Sequence, residues 1–248
     1  MNTVFFELCA ETLEAALAAQ SGGANRVELC ADLACGGITP GAELMAVTTR
    51  SLAVPVHILI RPRGGNFVFS TAEYDLMHRQ VEQAKRAGAS GVALGLLCAD
   101  GTVDVKRSRE LVELARPMDV TFHRAFDEAS DLREALERVI ETGADSLLTS
   151  GGAPDVLSGA DFIAALRRQA GERIQLIAGG GLRLESLLET VRRSGVFSLH
   201  GSLSRKNGQS IPHTNGVTRL AALEADVRQA VTLLRREYSV QASAIARL

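Results

Sequence analysis

The sequence predicts an α/β fold, a (β/α)8 TIM barrel in a single domain. Three observations carry that prediction. Short runs rich in Val, Ile, Leu and Phe alternate with longer amphipathic runs. Glycine or proline punctuates the ends of most of the amphipathic runs. Finally, the alternation repeats eight times in about 235 residues, the count and size of such a barrel.

The first strand reads from 4 to 9, and its helix, 13–21, stops at Gly22-Gly23. A second strand, 25–30, precedes a helix at 42–51, and a third, 56–61, precedes the helix 72–87 that Gly88 ends. Strand 91–96 leads to helix 105–116 and Pro117; strand 119–124 leads to helix 132–142 and Gly143. Strands 145–150 and 174–179 feed helices 161–170 and 184–193, stopped by Gly171 and Gly195. The last pair is strand 196–200 and helix 218–236. Between them, 201–216 is too long for an ordinary βα turn and reads as a lid over a site or a surface loop. The tail, 239–248, reads as a short extra helix or a frayed end, and no linker divides 1–248. A doubly wound open sheet is the competitor, but it usually has fewer strands and does not call for eight repeats.

Composition narrows the function. With 46% hydrophobic and 23% charged residues, the chain can bury a sizeable core and is not disordered. Its 27 Lys+Arg against 29 Asp+Glu provide no bulk basic field for nucleic acid, although a local basic patch stays open. The first residues lack the basic and long apolar regions of an export signal, and no run approaches the ~20 apolar residues of a membrane span. A cytoplasmic protein with no membrane or nucleic-acid partner is expected. Four cysteines are too few for a disulfide scaffold, so each needs a packing, catalytic or metal explanation.

Strand parity then sorts the side chains. Val4, Phe6, Leu8, Val27, Leu29, Val56, Ile58 and Ile60 suit the helix-facing side. The opposite parity turns Phe5, Glu7, Cys9, Arg26, Glu28, Cys30, His57, Leu59, Arg61, Thr121, His123, Gln175, Ser198 and His200 toward the barrel centre. Charges gathered there for packing alone would be costly. An interlocked Glu/Arg network is one reading; the other is an active site at the C-terminal face, with Glu7, Glu28, His57, His123 and His200 as catalytic candidates. Loops on that face add anion-binding candidates. Arg61 and Arg63 frame a turn with Gly64-Gly65, and Arg124 and Asp127 follow His123. Glycines cluster after the sixth, seventh and eighth strands, at Ser150-Gly151, Gly179-Gly180-Gly181 and Gly201-Ser202; the last two of these loops are where such barrels seat phosphate, and Arg26 completes the set.

The most specific local feature is a duplicated Glu-Leu-Cys-Ala, at 7–10 and 28–31. With adjacent strands about 4.8 Å apart, Cys9 and Cys30 would face each other with Glu7 and Glu28 one layer below. Two thiolates suit Cu(I); zinc would need His57 or His200 to reach across. Both cysteines could equally be small buried hydrophobes. Cys35 is placed to be a third thiol, and Cys98 is remote.

Further segments carry a resemblance: Asn25-Arg26-Val27-Glu28-Leu29-Cys30, Gly36-Gly37-Ile38-Thr39-Pro40, Ile60-Arg61-Pro62-Arg63-Gly64-Gly65, Thr121-Phe122-His123-Arg124-Ala125-Phe126-Asp127, Leu148-Thr149-Ser150-Gly151 and Ala178-Gly179-Gly180-Gly181. In these, spanning roughly 4–202, the chain resembles the CutC family of copper homeostasis proteins. The resemblance implies a single barrel, a cytoplasmic location, a homodimer or higher homo-oligomer, and copper handling with Cys9 and Cys30 as ligands. Loop residues 203–216 find no match.

The leading expectation is thus a copper-handling protein that binds Cu(I) through Cys9 and Cys30, with Glu7 and Glu28 tuning the site. An enzyme acting on a small phosphorylated or carboxylated metabolite, as an isomerase, epimerase or lyase, is the alternative; a barrel serving as an interaction platform is the third. No organic cofactor is expected. Lys85 and Lys106 map to helices, leaving only Lys206 near the face, which disfavours Schiff-base chemistry.

Overall fold

The computed structural model describes residues 4–203 and 216–245. Eight parallel strands close into a barrel in sequence order: β1 (Phe5–Ala10), β2 (Arg26–Leu29), β3 (Val56–Leu59), β4 (Gly91–Leu94), β5 (Asp119–Phe122), β6 (Ser146–Thr149), β7 (Gln175–Gly179) and β8 (Ser198–Gly201). The helices that alternate with them are α1 (Leu13–Gly22), α2 (Ala42–Ser51), α3 (Thr71–Ala87), α4 (Val105–Ala115), α5 (Leu132–Thr142), α6 (Ala160–Ala170), α7 (Leu187–Ser194) and α8 (Gly216–Ile245). The open-sheet alternative is therefore excluded.

Local chemistry explains the boundaries. Ser70 and Glu73 form a reciprocal capping box at the start of α3, and Gly88, in the left-handed region, closes its end. Asp131 accepts from the backbone N–H groups of Arg133 and Glu134 to start α5, and Gly143 ends it. The largest departure from expectation is α8. It runs unbroken through 239–245, residues assigned by the sequence reading to a separate tail. No glycine or proline interrupts that stretch, and Tyr238 anchors it edge-on against Phe197 at 5.2 Å. The lid or loop expected over 201–216, including Lys206, falls mostly outside the described residues.

Two apolar regions follow the expected strand parity. Phe6, Leu8, Val27, Leu29, Ile58 and Ile60 belong to the large core shared by strands and helices. Cys9, Cys30, Leu59 and Ala93 form a small cluster on the other strand face, inside the barrel. A close approach positions the interior: a Cβ on Gly91 would lie 2.2 Å from Nε2 of His57, so only glycine lets that buried ring lie against β4. Gly91→Ala is expected to displace His57 and to cost about 2 kcal/mol or more in urea unfolding; wild-type stability in this variant would contradict the packing account.

Candidate active site at the C-terminal mouth

The barrel's centre is organised by one carboxylate. Strand register sets Glu7 opposite Arg26 on one side and opposite His200 on the other. Glu7 accepts a short, charge-assisted bond from Nε of Arg26 and another from Nδ1 of His200 at 2.8 Å. Arg26 continues the network to Nε2 of His57 and Oγ1 of Thr121, each at 3.4 Å. Burial alone would raise the Glu7 pKa, but the Arg26 and His200 charges overcome it and hold the carboxyl well below the usual range. His57, by contrast, is pushed down to about 3 by burial and by Arg26, so it is neutral. This is the interlocked network that the sequence left open, and Glu7, Arg26 and His57 lie beneath the cavity rather than lining it.

Above the network opens a cavity of about 680 Å³. Cys9, Glu28 and His200 line it from β1, β2 and β8; Arg61, His123, Arg124 and Asp127 approach from the segments that follow β3 and β5; Gly180 and Gly181 come from the turn after β7, and Gly201 and Ser202 from the end of β8. The register corrects one expectation. Cys9 lies opposite Glu28, not above it, because β2 is offset so that Glu7 pairs with Arg26. Cys30 is consequently a step farther along, fully buried and outside the cavity lining, although its Sγ lies 3.3 Å from that of Cys9. The Cys9 thiol also reaches Glu28 Oε1 at 3.6 Å. The neighbouring thiol, burial and the Glu28 charge all push the Cys9 pKa up, while burial pushes Glu28 up. His200 is raised as well: burial opposes the shift, but the Glu28 and Glu7 charges outweigh it. Ligand atoms of Cys9, Glu28 and His200 lie within 4.8 Å of one another.

The arginines separate into two kinds. Arg61, expected as an anion clamp, instead donates to the backbone carbonyls of Cys35, Gly37 and Gly65 at 3.2, 2.9 and 2.6 Å, and lies over Phe67. Arg63 likewise bonds Glu73 at 2.6 Å and the Gly64, Asn66 and Val68 carbonyls, away from the cavity. These loops lack regular partners, and guanidinium groups supply them. Arg124 is different. One edge is held by Asp127 at 2.8 Å and Ser150 at 3.2 Å, yet its side chain is 42% exposed in the cavity wall, close over Gly180. Asp127 also accepts from the backbone N–H groups of Ser150 and Gly152, at 3.1 Å each from Oδ1, and so fixes the turn after β6. Ser150, Gly151 and Gly179 support these turns without lining the cavity.

His123 lines the cavity, but its Nδ1 accepts from Ala125 N at 3.2 Å, which puts the proton of the neutral ring on Nε2. Burial and Arg61 push its pKa down to about 3. It is a neutral donor, not an imidazolium. Sequence reasoning missed Phe67, Leu148 and Pro154 in the walls; a phenylalanine just past the Gly64-Gly65 pair and a proline after Gly151-Gly152 were the available signals.

With this geometry established, comparison with known proteins is decisive for descent. The CutC family model matches residues 4–205. The chain belongs to the CutC family. It is 43% identical over 220 residues to a family protein CutC of Chromobacterium violaceum, covering 89% of each chain. The corresponding Caulobacter vibrioides protein is 41% identical, over 94% of this chain and 98% of its own. A crystal structure of CutC from Streptococcus agalactiae, named for copper homeostasis, superposes with a TM-score of 0.77 at 28% identity, covering 82% of this chain and all of that one. A barrel named as an aldolase, QR15, matches at a TM-score of 0.61 and 19% identity, which shows shared fold alone. No helix among the described residues is long and apolar enough to cross a membrane.

The neutral histidines give a pH signature. The unfolded chain protonates His57 and His123 near pH 6.5, whereas the folded protein does so only near pH 3. Their contribution to stability is complete above pH 6.5 and falls as pH drops toward 3, by about 1.4 kcal/mol per pH unit per histidine. Urea midpoints measured from pH 7 to pH 4 should decline, and His123→Gln should flatten the slope by about one proton; an unchanged slope in that variant would contradict the assignment.

Proposed function

We propose that the barrel mouth binds a small anionic metabolite, phosphorylated or carboxylated, and acts on it as an isomerase, epimerase or lyase. One observation carries this reading: a cavity of about 680 Å³ with ionisable groups at its floor and a partly exposed guanidinium in its wall. Small-molecule sites commonly measure ~300–1,000 Å³, far more than a single metal ion fills. Glu28 is the acid/base candidate, because burial raises its carboxyl toward working pH. His200, fixed by Glu7, stands beside it, and neutral His123 is suited to hydrogen-bond a substrate oxygen rather than to protonate it. Arg124 and the Gly180-Gly181 turn are the anion anchor. Lys85 and Lys106 lie on α3 and α4 and do not line the cavity.

A second reading is copper handling through Cu(I) bound by Cys9 and Cys30, favoured by their 3.3 Å Sγ separation and by the name of the Streptococcus agalactiae relative. The four cysteines are free thiols, as a cytoplasmic location would require. The fit is partial. Sulfurs sharing one ion at ~2.3 Å stand about 3.8–4.6 Å apart, so the pair would have to open, and Cys30 does not face the cavity.

Thermal-shift measurements on the reduced full chain separate the readings. Sugar phosphates or small carboxylic acids at 100 times their Kd should raise Tm by several degrees, and Arg124→Ala should remove the response. A response to Cu(I) alone, abolished in Cys9→Ala/Cys30→Ala, would reject the metabolite reading in favour of copper handling.

A further inference from the structure

Glu28 lacks a direct ion pair among the described residues. The residue is 4% exposed at the cavity floor, and among the described residues it forms no salt bridge; its side-chain hydrogen bond is with the Cys9 thiol at 3.6 Å. His200 and Arg26 act on Glu28 through their charges, but no cation among the described residues bonds to it directly, and a buried carboxylate so placed suits a bound positive ion.

We propose that Cys9, Glu28 and His200 form a three-ligand site for a zinc-class divalent cation whose remaining coordination position opens onto the cavity. The donor set is one sulfur, one oxygen and one imidazole nitrogen, from β1, β2 and β8, with ligand atoms within 4.8 Å of one another. Ligands about 2.0–2.3 Å from a tetrahedral ion are separated by about 3.3–3.8 Å, so small side-chain rotations complete the set. A mixed S, N, O set suits a borderline ion, whereas Cu(I) prefers sulfur alone. Three protein ligands with one open position is the pattern of catalytic rather than structural zinc.

The support behind His200 points the same way. Its Nδ1 is held by Glu7 at 2.8 Å, and Glu7 is in turn fixed by Arg26. That leaves Nε2 as the ligating nitrogen, with the carboxylate behind it in the arrangement that typically orients metal-bound histidines. Thiolate and carboxylate together would balance the charge of the ion. Cys30 takes no part in this set. On the metabolite reading, on which this part of the proposal rests, Glu28 would serve as a ligand instead of as the acid/base group, and the open position would take a carbonyl, carboxylate or phosphate oxygen of the ligand anchored by Arg124.

The test is titration of the reduced full chain with zinc chloride by calorimetry and with cobalt chloride by absorption, where a thiolate-to-cobalt band reports sulfur ligation. One equivalent of each should bind. Cys9→Ser and His200→Ala should weaken binding at least 100-fold, with circular dichroism confirming that they fold, while Cys30→Ala should bind normally. Absence of stoichiometric zinc binding to the wild type, or loss in Cys30→Ala with retention in His200→Ala, would overturn the site. If zinc fails to bind but small anions still stabilise the protein through Arg124, the metal site falls and the metabolite reading survives; if zinc binds and no anion does, the reverse holds.

Discussion

The structure depends on the Glu7 carboxylate at the seam where the last strand meets the first. Register places it opposite Arg26 of β2 and His200 of β8, and both donate to it. Removing a carboxylate from water costs several kcal/mol, and the two donors offset that cost only in this geometry. The same bonds that balance the buried charge therefore tie the closing strand to its neighbours and hold the His200 ring in one orientation.

From that constraint follows a division of labour among the polar groups. Beneath the cavity, Arg26, His57 and Thr121 extend the Glu7 network, with Nδ1 of His57 buried and unbonded among the described residues. Above it, Cys9, Glu28 and His200 meet open space. Among the described residues Glu28 has no direct salt bridge, although His200 and Arg26 act on it through their charges, so an ion or ligand gains there. His200 belongs to both levels, bonded below to Glu7 and facing the cavity above. A rigid lower layer supporting an under-compensated upper one is what a preorganised site requires, since the supporting groups do not have to move when a ligand arrives.

The arginines show why residue type alone misleads about function. Arg61 and Arg63 lie in the motif that looks most like an anion clamp, but irregular backbone takes most of their donors, leaving Arg61 with a buried Nε unbonded among the described residues. Arg124 reaches the cavity because Asp127 and Ser150 restrain only part of its guanidinium. Buried carbonyls need donors wherever a loop departs from regular structure, and a long guanidinium meets that need as readily as it meets a phosphate.

Much of the fold was legible because its signals are local. Strand parity has a period of two, helix faces a period near 3.6, and stops such as Gly88 and Gly143 act on their own turns, so element order and the inward set of Glu7, Cys9, Arg26, Glu28, His57 and His200 could be read directly. The family was legible from its motifs. The roles within the site were not, because they depend on the offset between strands and on partners remote in sequence. Only the barrel's register moved Glu28 level with Cys9 and left Cys30 outside the cavity. Only packing joined Glu7 to His200, 193 residues away, and made His57 and His123 neutral by enclosing them. Parity is a property of each strand, whereas charge, protonation and access belong to the closed barrel.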